Sequence, residues 1–233
     1  WNCSFIRMGT SGLTAQAFGA ENHREYSLML WRSLIVALGV GILAFSLQYP
    51  LGEFSLWFMD TGSEESQSMI ADYFYTRIWA VPAGILLFAF NGWFTGMQNA
   101  VVPMAVAILV NLIHIGCSYL FSIVGTMGLE GIALASVVAQ WTGVLVMVAV
   151  LLIRYRKRLV KVSMKEVMDM SSMRRFFSIN GDIIIRTFCL VAVYTFFTKA
   201  SADTGDANIL AVNTILLQLF TLFSYMNDGF AYA

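Results

Sequence analysis

Residues 78–129 contain no Asp, Glu, Lys or Arg, and this run of 52 positions constrains the fold more than any other feature of the chain. About 20 helical residues, each rising about 1.5 Å, cross a bilayer core of about 30 Å, so the run is too long for one crossing. It is interrupted by Gln98, Asn99 and Pro103, a pattern typical of a tight turn. The run therefore predicts two membrane-spanning helices joined by a short connection.

Composition extends this interpretation to the whole chain. Apolar residues make up 58% of the 233 positions and charged residues 12%, and a soluble fold has too little interior to bury that share. Strands of a membrane barrel would alternate in polarity, whereas these tracts are continuously apolar. We predict an all-α, polytopic membrane protein whose partner along most of its surface is the lipid bilayer. The apolar tracts cover residues 1–20, 27–49, 78–97, 103–124, 131–153, 176–198 and 207–233.

Charge and cysteine content exclude several other classes. The formal net charge is zero, so we expect no nucleic acid partner, because nucleic acid binding through bulk charge needs an excess of Lys and Arg. Cys3, Cys117 and Cys189 are far apart in sequence, which favours neither a disulfide framework nor a metal site. We expect no cofactor.

The connections between tracts sort by charge and predict an orientation. Residues 21–32 hold Arg24 and Arg32 beside two acids, and residues 154–175 are rich in Lys and Arg. Residues 50–77 and 199–206 carry more Asp and Glu than Lys and Arg. Because Lys and Arg mark cytoplasmic connections, we expect the first two inside and the last two outside. Four tracts separate the two basic connections, so one orientation satisfies every connection.

Both ends lie within apolar tracts, so we expect the chain to be the middle of a longer protein, truncated at both ends. Phe5–Gly9 and Tyr225–Gly229 form a weak echo 220 residues apart, which favours two similar halves. On this interpretation residues 1–153 belong to an N-terminal lobe, residues 154–175 form a cytoplasmic linker and residues 176–233 begin a C-terminal lobe. The alternative is that residues 154–175 are an ordinary basic loop.

Several stretches resemble one transporter family in order along the chain. Phe5–Ala20 resembles the second transmembrane helix of multidrug and toxic compound extrusion (MATE) transporters, in the branch of the DNA-damage-inducible protein F. Further stretches are similar to that family's fourth helix, the start of its sixth helix, its seventh helix and its eighth helix: Phe90–Asn99, Gly128–Ala135, Asn180–Thr187 and Asn227–Ala233.

The resemblance implies a two-lobe bundle of twelve helices around a central cavity, of which this chain supplies helices two to eight. It implies a monomer in the bacterial inner membrane that exports small organic compounds by proton- or sodium-coupled antiport. Some relatives place an Asp four residues after an Asn of the fifth helix. Counting four residues from Asn111 leads to Ile115 here, so this chain departs from that pattern.

Charged residues inside a bilayer are costly and therefore candidates for function. Asp182 and Arg186 are four residues apart, which places both on one helix face. They form either an ion pair that locks helix packing or a carboxylate whose protonation is coupled to transport. Arg7 lies about 20 Å from the cytoplasmic end of its tract, and Asp228 lies beside Gly229 in the echoing stretch of the last tract. Each is either a packing contact or part of the ion or substrate path.

Uncharged polar residues within the tracts are further candidates for a wet cavity. Buried amides most often bond neighbouring helices, and His114 fits a satisfied structural imidazole as well as a proton relay. The candidates for the substrate or ion path are Asn180, Asn111, Asn213 and Gln218.

Three other functions compete with drug export. Seven apparent spans are also typical of a receptor, but we expect this number to result from truncation of the chain at both ends. A lipid-linked precursor flippase of related two-lobe architecture is the main alternative, and it would need a conspicuously cationic cavity, for which only Arg7 and Arg186 are available. An intramembrane enzyme would need a catalytic cluster at one depth, and the sequence shows none.

Overall fold

The computed structural model describes residues 4–58, 64–203 and 207–231, and helices dominate all three parts. The described part contains no strand, and the predicted all-α class is confirmed. The α-helices are α1 Ser4–Gly19, α2 His23–Ser46, α3 Gln48–Phe58, α4 Glu64–Arg77, α5 Val81–Gly96, α6 Val101–Ser118, α7 Gly128–Val150, α8 Met164–Val167, α9 Met170–Asp203 and α10 Ala207–Ala231.

Five helical segments within the described residues are long and apolar enough to cross a membrane, which agrees with a multi-pass membrane protein. Of the seven predicted tracts, the first forms α1, which at 16 residues is short for a span, and the last forms α10. The other five tracts correspond to the candidate spans, which are His23–Ser46, Ser68–Gly96, Val101–Val124, Gly128–Tyr155 and Phe176–Ser201.

The connections contain more helix than charge alone predicted. Residues 50–77 were expected to be a connection, but their described parts lie in α3 and α4, and α4 continues through one 3-10 turn at Ile78–Ala80 into α5. Charged side chains such as Asp72 and Arg77 are costly in lipid but do not end a helix. The charge pattern therefore placed the beginning of this helix too late in the sequence. Residues 204–206 of the predicted outer connection 199–206 lie outside the described residues.

The predicted break between the third and fourth tracts, 78–97 and 103–124, is confirmed. Helix α5 ends at Gly96 and α6 begins at Val101. In the turn, Gln98 has a φ of 60°. The Asn99 side chain accepts a hydrogen bond from the backbone N–H of Val102 (3.3 Å) and donates one to the Tyr155 hydroxyl (2.7 Å). The turn is thereby fixed to the end of α7, where a π turn covers Leu151–Tyr155.

Helices α1 and α5 touch through glycine. A Cβ built on Gly92 would lie 2.5 Å from the backbone oxygen of Arg7, and one on Gly96 would lie 2.6 Å from the Cβ of Thr14. Such spacing, one small residue every four positions, lets two backbones approach closely in a membrane. Behind this contact, a buried aromatic group joins α5 to the end of α7, with Trp93 and Phe94 both packed edge-on against Tyr155.

The chain divides into two compact units, Cys3–Gly181 and Asp182–Ala233. The first contains α1 to α8 and the beginning of α9, with the core described above. The second contains the rest of α9 and α10. The lobe and linker boundaries proposed from the sequence, at residues 153 and 175, stay a prediction.

Asp169 caps the beginning of α9. Its Oδ2 accepts hydrogen bonds from the Ser171 hydroxyl (2.6 Å) and the Ser172 backbone N–H (3.0 Å), and these bonds lower the pKa of the carboxyl to about 2. Because the pKa is lower in the folded state, the contribution of this cap to stability is complete above the ordinary pKa of 3.8 and is lost as the pH falls through about 2.

We therefore expect Asp169→Ala to increase amide hydrogen exchange in the first turn of α9, since a side-chain acceptor for an orphan N–H is lost. Asp169→Asn keeps an acceptor oxygen and is expected to fall between wild type and Asp169→Ala. Wild-type protection of these amides should decrease when the pH is lowered from about 5 to about 2, while Asp169→Asn should lack that decrease. Equal exchange in all three proteins would contradict the capping role.

Candidate functional site

Three buried polar side chains of α1 and α5 have unused hydrogen-bonding atoms. Thr10 and Thr14 lie one turn apart and are fully buried, and their hydroxyls find no hydrogen-bond partner within the described residues. The Oδ1 of Asn91 in α5 is likewise buried without a partner there. Unsatisfied polar groups are costly in an apolar environment, so these atoms would gain from a hydrogen-bond partner if α1 and α5 rearranged.

His114 joins α6 to α7. Its Nε2 lies 2.8 Å from the hydroxyl of Ser136, a residue that is 5% exposed. The Ser136 hydroxyl donates its single proton to the Ile132 carbonyl (3.2 Å), so we assign the proton in the first bond to His114 Nε2. This contact confirms that His114 has a structural partner, and its role as a proton relay stays a prediction. Sequence reasoning missed Ser136, although the small buried residues around it, Ala135 and Ala139, mark a packed helix face.

The predicted pair Asp182 and Arg186 lies on one helix, as expected. Both belong to α9, which begins at Met170, so Asp182 is about 18 Å along the helix axis from its start. The Arg186 side chain is exposed. The side chains of Asn180 and Asp182 lie outside the described residues, so the ion pair stays a prediction.

The remaining predicted residues are distributed over three helices. Arg7 of α1 is half-buried, and its backbone packs against Gly92 of α5. The Asn111 side chain is exposed and donates to the Ala107 carbonyl of its own helix (2.8 Å).

In the second unit, Asn213 donates to the Ser201 hydroxyl (2.8 Å) and joins α10 to α9. Gln218 is exposed, and the side chain of Asp228 in α10 lies outside the described residues. Among the predicted residues, Asn213 thus forms a side-chain contact between helices.

Arg32, which the sequence analysis assigned to a cytoplasmic connection, forms three side-chain hydrogen bonds. It lies in α2 and is 3% exposed. Its guanidinium donates to the backbone oxygens of Val167 (3.2 Å) and Glu166 (3.0 Å), at the end of α8, and to the carboxylate of Glu25 (3.1 Å). Arg32 thus fixes the basic segment that follows α7 to the beginning of α2.

Further bonds hold the same segment. Arg24 forms an exposed ion pair with Glu166 (2.7 Å), the Tyr26 hydroxyl donates to the Arg158 carbonyl (3.0 Å), and the Val160 N–H donates to the Ser27 hydroxyl (3.1 Å). Side chains of α2 therefore hold this segment at three separate points along its length. We call residues 154–169 the docked segment.

A pocket of about 230 Å³ opens beside Arg32, between the end of α1, the first turns of α2 and the beginning of α9. Leu13, Met29 and Phe176 form its apolar wall, and Glu25 contributes a carboxylate that already faces Arg32. Its lining suits an apolar molecule with a small polar group. Among the described residues, no group of His, Cys, Asp and Glu is arranged to bind a metal.

Comparison with known proteins gives consistent results. The family model MatE matches residues 3–120. The chain is similar to DNA damage-inducible protein F of Escherichia coli (strain K12), at 32% identity over 98% of this chain and 50% of that protein. It is also similar to Protein DETOXIFICATION 45, chloroplastic, of Arabidopsis thaliana, at 25% identity over 98% of this chain and 42% of that protein. The chain therefore spans about half the length of the curated relatives it matches.

Solved structures of transporters also match nearly the whole of this chain and about half of their own length. A multidrug resistance MATE family transporter of the MOP superfamily matches in its outward-facing conformation with a TM-score of 0.82, at 18% identity over 95% of this chain and 49% of that chain. An inward-facing conformation of such a transporter matches with a TM-score of 0.73, at 16% identity over 95% and 50%. A MOP superfamily transporter from Pyrococcus furiosus matches with a TM-score of 0.81, at 19% identity over 95% and 49%. The fold predicted from the sequence resemblance is confirmed.

Proposed function

Because this chain belongs to the MatE family, we propose that it forms about half of a secondary transporter that exports organic compounds across the bacterial inner membrane. The export is coupled to the entry of protons or sodium ions, and it proceeds by alternating access to a central cavity. The single observation that carries this proposal is the family match, which lies on α1 to α6 of the first unit. The activity belongs to the longer protein that would contain the chain.

The fold supports alternating access. Solved structures described as outward-facing and as inward-facing both match this chain over 95% of its length. In our proposal, coupling-ion binding favours one of two such access states, and its release favours the other. Each half would then move largely as a body, as the close glycine contact between α1 and α5 favours.

The coupling site we favour is the Asp182 carboxylate of α9. A carboxylate beside a cation is held in its charged form, and protonation removes the attraction that holds the pair. Loss of that attraction would free Arg186 and alter the packing of α9. Thr10, Thr14 and Asn91 hold unused polar atoms within the first unit, and a rearrangement of α1 against α5 would be needed to expose these buried atoms to substrate.

We expect Asp182→Asn in the full-length protein to reduce ethidium efflux from pump-deficient cells by roughly 5- to 150-fold, the range that corresponds to a coupling free energy of about 1–3 kcal/mol. Arg186→Leu should also reduce efflux, since it removes the predicted partner of the Asp182 carboxylate. Lys199→Gln removes an exposed cation of the same helix and should leave efflux unchanged.

The energy source is tested in the same cells. An uncoupler should abolish efflux if protons drive it, and sodium removal should abolish efflux if sodium drives it. Wild-type efflux in both Asp182→Asn and Arg186→Leu would remove this pair from the coupling mechanism. Equal dye accumulation with and without the wild-type protein would contradict drug export itself.

A further inference from the structure

The docked segment, residues 154–169, presents a dense and uncompensated group of cations. Half of the residues from 154 to 165 are basic, and none is acidic. All six basic side chains are exposed, namely Arg154, Arg156, Lys157, Arg158, Lys161 and Lys165. The two acids that follow them are already engaged, Glu166 by Arg24 and Asp169 by its cap of α9.

These cations are held in place by bonds that do not use their charges. The bonds described above reach backbone atoms at Arg158, Val160, Glu166 and Val167. At its beginning, the segment is anchored by Tyr155, which is 5% exposed and packs on Trp93 and Phe94. The Arg158 guanidinium lies 6.0 Å from the centre of the Tyr155 ring, a cation–π contact. The other cations are carried on a backbone that these bonds fix in place, and their charged groups face outward, where an external anion can bind them.

The position of the segment and its apolar side chains identify the anion. Arg154 lies at the very end of the candidate span Gly128–Tyr155, so the segment begins where the hydrocarbon meets the headgroups. Two exposed methionines lie near the last of these cations, Lys165: Met164 is 62% exposed and Met168 60% exposed. Cations with neighbouring apolar side chains fit the boundary between phosphate and acyl chain.

We propose that the docked segment is a binding surface for anionic phospholipid headgroups of the cytoplasmic leaflet. Its cations contact the lipid phosphates, and Met164 and Met168 contact the upper part of the acyl chains. Lys and Arg clusters next to a membrane span attract anionic lipids, and the attraction is screened by salt. Bound lipid would stabilise the first unit, because it binds the folded arrangement of these side chains.

The test compares full-length wild type with Arg156→Gln/Lys157→Gln/Lys161→Gln, purified and reconstituted in phosphatidylcholine alone or with phosphatidylglycerol added. We expect phosphatidylglycerol to raise the unfolding temperature of the wild type, and the triple variant to lose at least half of that increase. Lys199→Gln, which removes a cation from the predicted outer end of α9, should keep the full increase. Native mass spectrometry should show fewer retained phosphatidylglycerol molecules on the triple variant.

Other outcomes would overturn the proposal. One is an equal increase in the triple variant, and another is no increase in the wild type. A third is a triple variant that is already less stable in phosphatidylcholine alone, which would make the cations part of the fold. Sodium phosphate is added in phosphatidylcholine against sodium chloride of equal ionic strength. If phosphate reproduces the lipid effect, the ligand is a soluble anion and the lipid proposal is wrong.

Discussion

Gly92→Ala is expected to destabilise the first unit by about 1–3 kcal/mol, the usual cost of adding a methyl group to a closely packed contact. The new Cβ would lie 2.5 Å from the Arg7 backbone oxygen, and no rotation of a side chain can relieve a clash with backbone. Helices α1 and α5 would have to separate along their contact. A larger residue such as leucine should prevent stable assembly of the two helices. The measurement is reversible unfolding of the protein in mixed micelles.

Gly12→Ala is the matched control, because a Cβ at Gly12 would have nothing within 4 Å. Both substitutions bring the same gain in intrinsic helix propensity, about 1 kcal/mol, so the difference between them isolates the contact between helices. We expect Gly12→Ala to be neutral or stabilising. If Gly92→Ala were equally well tolerated, the close approach of α1 to α5 would be wrong.

Arg32→Leu is expected to cost roughly 2–3 kcal/mol, because it leaves the Glu166 and Val167 carbonyls without their charged donor. The bond to Glu25 adds little to this figure, since the Glu25 side chain is 40% exposed. The docked segment should then be released from α2. Trypsin should cleave after Lys157 and Lys161 much faster than in the wild type, which gives a readout separate from global unfolding.

Two further variants separate the contribution of geometry from that of charge. Arg32→Lys keeps the charge but loses the planar guanidinium, which bonds two carbonyls and a carboxylate. Its trypsin cleavage should therefore be slower than in Arg32→Leu but faster than in the wild type. Arg24→Gln removes an exposed ion pair to the same segment and should change cleavage little, because its side chain is 63% exposed. Rapid cleavage in Arg24→Gln with slow cleavage in Arg32→Leu would reverse the roles assigned to the two arginines.

The helical class and the break between α5 and α6 could be predicted from sequence, because lipid imposes strong rules on uncharged tracts. The uncharged run of residues 78–129 is too long to be buried in a soluble fold. Asn99 and Pro103 mark the position of the turn between its two helices. The helical nature of residues 64–77 could not be predicted in this way. Hydropathy predicts which residues lie in lipid, but it does not predict where a helix ends. Helix formation depends on backbone hydrogen bonds, and charged residues such as Asp72 are compatible with them.

The candidate site was less predictable for a similar reason. A charge count places Arg32 at a membrane face but cannot distinguish a solvated arginine from one that bonds two distant carbonyls. The partner of His114 is 22 positions away, on another helix, and its serine is an ordinary residue in sequence. Asn213 was a candidate because it is polar in an apolar tract, and its contact with Ser201 requires the hairpin of α9 and α10. Contacts of this kind depend on the packing of helices.

We propose that these helices cross the membrane in alternate directions and leave residues 154–175 inside the cell. The most direct measurement starts from a full-length variant in which Cys3, Cys117 and Cys189 are replaced by alanine, and adds Ser63→Cys or Lys161→Cys. A membrane-impermeant maleimide is then applied to intact cells. We expect labelling at position 63, and labelling at position 161 only after the cells are opened. Labelling of both positions in intact cells would contradict the orientation and the transport mechanism built on it.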